Sequence, residues 1–219
     1  MPSSAARRTT PLAEPRPRAA RLASGPVILE AAATLFLRNG YLGTSVDDIA
    51  SLAHVSKQTV YTHFADKEQL FAELIRGNIR RVDAFVESAT AALGETDALE
   101  EDLRAFAHQH VRAVLLAEAV QLRRLVIAEG GRFPELAREY YERVPQKVIT
   151  ALAEQLGRVA ERGLLRLQDP TLAANHLAWL ILGPPLDAAM FDVAGEGRAP
   201  EELDRMADAA VDVFLTAYR

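Results

Sequence analysis

The chain has 219 residues, 49% of them hydrophobic, with no Cys and a formal net charge of −5. That length and apolar fraction support a substantial core, as one large or two small domains, and the lack of Cys excludes disulfides and thiolate metal sites. No apolar run reaches the ~18–20 residues that a bilayer span requires, and the basic N-terminus lacks the apolar stretch of a secretory signal, so a cytoplasmic protein without membrane contact is expected.

The negative total hides an asymmetry. Residues 1–70 carry 8 Lys and Arg against 6 Asp and Glu, and the remainder carries 17 against 24. A mildly basic head can approach phosphate while an acidic body points away from it.

Residues 1–24 are rich in Pro, Ala, Arg, Ser and Thr. Pro2, Pro11, Pro15 and Pro17 oppose a continuous helix, so this segment reads as a disordered arm. A solubilising tail is preferred to an arm that touches the DNA backbone or minor groove. A first helix is expected from about Pro26, a residue suited to a first helical position. Val27, Ile28, Ala31, Ala32, Leu35 and Phe36 repeat at helical spacing, and Asn39-Gly40 closes the helix.

Ser45 with Asp48 three residues on forms a capping-box arrangement for a second helix, whose expected buried face is Val46, Ile49, Leu52 and Ala53. His54-Val55 makes the turn. Ser56 caps a third helix from about Lys57 to His63, with Val60 and Phe64 inward. Lys57, Gln58, Thr59, Tyr61, Thr62 and His63 are then left largely outward. Asp66 caps a long fourth helix over 67–93, with Gln69 at the box position and a stripe from Leu70 to Val86. Two helices as short as the second and third cannot stand alone, so the first and fourth must support them.

Beyond that, helices are expected at 98–116, 118–128, 133–162, 170–193 and 200–217, separated at Gly and Pro positions. Pro145 and Pro184-Pro185 are expected to kink the helices that contain them. No segment alternates with period two, so the fold class is all-α: a helix-turn-helix head over 25–71, a linking helix, and a helical body over 94–219.

Residues 26–71 resemble the TetR family of transcriptional regulators. The resemblance is carried by Ala31-Ala-Ala-Thr-Leu-Phe36, Asn39-Gly-Tyr41, Thr44-Ser-Val-Asp-Asp-Ile-Ala50, Val55-Ser-Lys-Gln-Thr-Val-Tyr-Thr-His-Phe64 and Asp66-Lys-Glu-Gln-Leu-Phe71. His54 departs from it, because the family usually has Gly there. The body resembles the AefR and AcrR subgroup through residues 125–144, Glu161-Arg-Gly-Leu-Leu165 and the later Asp169-Pro170. The resemblance implies a double-stranded DNA operator with palindromic half-sites, a small hydrophobic or amphipathic effector bound in the body, and a homodimer built on the last two helices.

The residue chemistry agrees. Lys57 can reach guanine O6 or N7 or a phosphate, Gln58 can pair with adenine, and Thr59 and Thr62 can meet base edges or a thymine methyl. Tyr61 and His63 suit the backbone. Thr44 and Ser45 open the second helix, where hydroxyl and N–H groups suit a phosphate oxygen. Lys67 lies in the first turn of the fourth helix, where the dipole does not favour a cation, so a phosphate contact is expected of it. The expected pocket residues are Phe106, His110, Tyr140, Tyr141, His176 and Trp179, with Leu115 and Leu122 beside them. The near-continuous apolar surface of 170–193 and the stripe of 200–217 suit burial against a second subunit.

A ligand-responsive regulator, a repressor in preference to an activator, is therefore expected. The alternative is an all-helical small-molecule-binding or protein-interaction module without specific DNA binding. An enzyme is not expected, since no Gly-rich phosphate loop, HExxH or G-x-S-x-G occurs, and neither a cofactor nor a metal is expected.

Overall fold

The computed structural model describes residues 18–90, 93–191 and 199–219. Among them there are ten α-helices, one short 3-10 turn at Leu93–Glu95, and no strand. The head comprises α1 (Arg18–Asn39), α2 (Val46–Leu52), α3 (Lys57–His63) and the first turns of α4 (Lys67–Thr90).

Helix α1 starts earlier than the sequence pattern predicts. Its backbone is helical from Arg18, eight residues before Pro26, which therefore lies inside the helix. The expected arm is corrected to that extent, and residues 1–17 lie outside the described residues. Pro26 lacks an N–H, so the loss is one helical hydrogen bond near one end. The other end follows expectation: Gly40, at φ 72°, donates its N–H to the Phe36 carbonyl at 2.9 Å.

Ser45 caps α2 reciprocally. Its Oγ accepts the Asp48 N–H at 3.1 Å, and its own N–H donates to Asp48 Oδ2 at 3.2 Å. The turn after α2 is a Schellman motif: Val55 N–H donates to the Ala50 carbonyl and His54 N–H to the Ser51 carbonyl. His54 occupies its left-handed position at φ 52°. Leu52, expected inside, is 46% exposed. The buried face of α2 is centred between Ile49, Ala50 and Ala53, and Leu52 points about 110° away from that centre at 100° per residue.

The body comprises α5 (Leu99–Val114), α6 (Ala117–Glu129), α7 (Pro134–Arg143), α8 (Pro145–Glu161), α9 (Pro170–Phe191) and α10 (Pro200–Tyr218). The helix expected over 133–162 is two helices, and Pro145 breaks it instead of kinking it. Val144 sits at φ −111°, ψ −80°, outside the helical region that a following proline disfavours. Pro184 and Pro185, by contrast, lie within a single element, α9.

Leu103, Phe106, Leu152, Leu156, Leu177 and Phe214 centre the body core. Helix α5 packs on α10, and α9 on both α8 and α10. Ion pairs seal the first seam: Arg104 meets Glu100, Asp208 and Asp212, Arg112 meets Asp204, and a His108 ring nitrogen lies 2.8 Å from Asp208.

The head does not end at α4. Its buried cluster of Ile28, Phe36, Ile49, Val60 and Phe71 continues into Leu122, Leu125 and Val126 of α6 and Tyr140 of α7. Phe133, just before α7, packs its ring 4.9 Å from Tyr41 and 5.1 Å from Phe71. Head and body thus share one apolar seam, which places α1 directly against the body.

Candidate nucleic-acid interface and ligand cavity

Helix α3 is held from beneath and left free above. Ser56 caps it, its Oγ accepting the Thr59 N–H at 3.1 Å, and Val60 is buried. On the other side Lys57, Gln58, Tyr61 and Thr62 are exposed, with Tyr61 at 43%, and Thr59 is half-buried. The Thr62 hydroxyl donates to the Gln58 carbonyl at 2.8 Å. The Gln58 side-chain amide makes no hydrogen bond among the described residues, so its donor and acceptor pair is available. Lys57 pairs with Asp47 at 2.9 Å, and that carboxylate raises the Lys57 pKa. Both groups are more than half exposed, so water screens the pair and a phosphate or base can take the carboxylate's place.

Three of the expected contacts are engaged elsewhere. Thr44 is only 2% exposed, and its hydroxyl donates to the Gly40 carbonyl at 2.9 Å. It closes the α1–α2 loop, and its hydroxyl is not offered to phosphate. Lys67 Nζ donates to the carbonyls of Tyr41 at 3.0 Å and Thr44 at 2.9 Å, and sits 4.3 Å from the centre of the Tyr41 ring. Those acceptors and the ring face explain a cation at an unfavourable helix end without any phosphate. His63 is half-buried against α1, where a Cβ at Gly25 would lie 3.4 Å from its Nδ1. Its Nε2 is buried with no hydrogen-bond partner. Ser45 remains exposed, though its hydroxyl also donates to Asp48 at 2.6 Å. These Ser45 bonds lower the Asp48 carboxyl pKa.

A cavity of about 1170 Å³ lies between head and body. Of the residues named from the sequence, His110, Tyr140, Tyr141, Trp179 and Leu122 line it. Phe106, His176 and Leu115 do not. Phe106 stands behind the wall, stacked on the His110 ring at 5.4 Å, and Leu115 packs on the body core. His176 is on the outer side of α9, bonded through Nδ1 to the Tyr218 hydroxyl. Sequence reasoning missed the opposite wall: Leu29, Ala33 and Leu37 of α1, and Asn78, Val82 and Phe85 of α4. The signal was present in α1. Leu29, Ala33 and Leu37 form a second stripe at a spacing of four beside the buried Ile28, Ala32 and Phe36, and a helix with two apolar stripes has two partners.

Where α5, α6 and α7 meet, the cavity wall carries His110, Arg123 and Tyr140, while Glu30, Arg38, Asn78 and Arg81 line it on the side of α1 and α4. His110 is 2% exposed and its Nδ1 has no partner. Burial and the nearby Arg123 guanidinium hold its imidazole down to about 4, so it is neutral near pH 7. Burial raises the pKa of the Tyr140 phenol, against the opposing effect of the nearby Arg123. Among the described residues no group of His, Asp and Glu is arranged to hold a metal ion.

Comparison with known proteins matches two family models to the chain. Residues 28–74 match the family model for bacterial regulatory proteins of the tetR family. Residues 101–219 match the C-terminal domain of AefR-like transcriptional repressors. A TetR-family transcriptional regulator from Mesorhizobium loti is 38% identical, with 93% of this chain and 99% of that one covered and a TM-score of 0.82. The flavonoid-responsive regulator FrrA is 32% identical over 90% of this chain and 97% of its own, with a TM-score of 0.68. The repressor KstR2 of Mycobacterium tuberculosis is 32% identical over 43% of this chain and 50% of its own. With matched models for both halves on one all-helical fold, the chain belongs to the TetR family and is a DNA-binding transcriptional regulator with an AefR-like C-terminal domain.

Proposed function

We propose that the protein is a homodimeric repressor whose two α3 helices read two half-sites of a palindromic operator, and that a small hydrophobic or amphipathic molecule in the cavity releases it. One observation carries this reading: the cavity is walled on one side by α1 and α4 and on the other by helices of the body. A molecule filling it touches both halves at once. Its binding energy can therefore differ between two relative positions of head and body, which is what a shift in DNA affinity requires. Adjacent half-sites demand recognition helices about 34–36 Å apart, so a small displacement of α1 and α4 is enough to spoil the match.

Within the head, Gln58 and Thr62 read bases, and Lys57 and Tyr61 serve bases or backbone. Ser45 holds backbone through the start of α2. The dimer rests on α9 and α10, where Leu172, Trp179, Leu180 and Val213 are large apolar side chains left exposed. The cytoplasm, where the operator lies, is the place of action. The name of the flavonoid-responsive relative supports an effector with both apolar and polar parts.

Titration against DNA from around its own gene, at several salt concentrations, tests this reading. Nanomolar binding is expected, with a log–log salt slope steeper than about −4 if roughly five or more phosphates are engaged per dimer. A flat slope, or no preference over random DNA, removes the operator reading. Gln58→Ala is expected to relax sequence preference, while Lys57→Ala weakens binding to all sequences more evenly.

A further inference from the structure

The cavity is apolar along most of its wall, through residues such as Leu29, Val82, Phe85, Val148 and Leu182. Exposed charged residues such as Glu30, Arg38 and Arg81 stand on the side of α1 and α4, whereas the junction of α5, α6 and α7 carries a half-buried cation. The Arg123 guanidinium lines it there, and no carboxylate of the described residues lies within ion-pair distance of that group. Tyr140 lines the same wall, close enough for Arg123 to act on its phenol. The buried His110 lines the same wall and keeps Nδ1 without a partner. Arg104, Arg112, Arg143 and Arg162 all have carboxylates, so the half-buried Arg123 stands apart from them.

A cation without a counter-charge, next to an unpartnered polar atom on an apolar wall, is costly to keep. Both costs are relieved by one kind of guest. An ionised oxygen supplies the missing charge, and the planar guanidinium presents a fork that matches a carboxylate better than an ammonium would. A neutral imidazole can donate one N–H to the same group, since His110 is not charged near pH 7. A cationic guest would be repelled by Arg123, and a purely apolar one would leave both groups as they are.

We propose that Arg123, Tyr140 and His110 form the receptor for a single ionised oxygen group, a carboxylate or a phenolate, at one end of an otherwise apolar effector. The inference rests on the effector reading above and adds its chemical class. The whole cavity, at about 1170 Å³ slightly above the usual range for small-molecule sites, has room for a fused aromatic body or an acyl chain beside that group.

The test uses the full-length protein at pH 7.5 and four probes by calorimetric titration: decanoate, methyl decanoate, 2-naphthoate and methyl 2-naphthoate. At least one acid is expected to bind tenfold or more tighter than its own ester. Arg123→Gln brings that ratio close to one, and Arg123→Lys, which keeps the charge, preserves part of it. Tyr140→Phe weakens the acid more than the ester. The acid that binds better shows whether the body is aromatic or a chain. Equal binding of acid and ester overturns the receptor while leaving the effector site standing. So does an Arg123→Gln variant that weakens acid and ester by the same factor, because Arg123 is then a structural residue. If none of the four binds, the proposed receptor falls, and the effector reading is left to be judged by its own test. Should Arg123→Gln fail to fold, judged by its thermal transition, the Arg123→Lys and Tyr140→Phe ratios decide.

Discussion

Three residues combine a local strain or an unusual polar setting with a definite consequence. His54 holds a left-handed conformation at φ 52°, which costs a non-glycine residue roughly 1–2 kcal/mol. His54→Gly should therefore stabilise the chain by up to about 1 kcal/mol, after the greater freedom of glycine in the unfolded chain is deducted. For a chain of this size that is about 2–4 °C in Tm, and a thermal scan of the two proteins checks it. His110 supplies a pH dependence. Its pKa is lowered from 6.5 to about 4 by burial and by Arg123, so between those values the unfolded chain binds a proton that the folded chain does not. Its effect on stability is absent above about pH 6.5 and grows as pH falls towards 4, reaching about 3 kcal/mol against the fold. Denaturant titrations at pH 7 and pH 4.5 should show a smaller loss for His110→Phe than for the parent, and equal losses would refute the assignment. Lys67 is a lesson in what a sequence withholds. A cation in the first turn of a helix was legible as an anomaly, but the acceptors lie more than twenty residues earlier, on Tyr41 and Thr44. Lys67→Met should cost about 1–3 kcal/mol of stability by leaving those carbonyls unpaired, where a pure phosphate contact would leave stability unchanged.

At the scale of the element, the caps and breaks were the most legible features, because each is decided within a few residues. The Ser45–Asp48 box, the Ser56 cap and the Gly40 stop all depend on local chemistry alone. Faces were harder. Leu52 fits an apolar pattern and still lies outside, since a seven-residue helix has too few turns for spacing to fix its orientation. Pro145 broke a helix while Pro184 and Pro185 did not, and only the surrounding packing separates those outcomes. Phe133 is the element-scale feature with the largest expected consequence. It lies between helices, belongs to no stripe, and joins Tyr41 and Phe71 of the head to α7. Phe133→Ala should destabilise the protein by about 3 kcal/mol and loosen the head from the body. Hydrogen exchange is expected to show faster exchange in α1 and α2 than in α5 and α10.

At the scale of the molecule, the sequence divides at α4 but the packing does not. One apolar cluster runs from α1 through α4 to α6 and α7, and the cavity opens beside it between the same helices. Long-range placement of this kind depends on how two halves meet, and no periodicity within either half specifies it. The pocket residues read from the sequence came from the body alone for that reason. In the proposed reading the cavity is the joint of the molecule, and its occupancy controls DNA binding. Ala113 of α5 lines the cavity from the body side, away from every residue assigned to DNA. An Ala113→Trp variant fills part of the space without touching α3. The decisive measurement is the operator affinity of that variant against the parent, by fluorescence anisotropy at one salt concentration, with folding checked by thermal transition. A loss of about 5- to 150-fold, the usual range of coupling between sites, is predicted. A folded variant that binds its operator as tightly as the parent, or more tightly, would contradict control from the cavity.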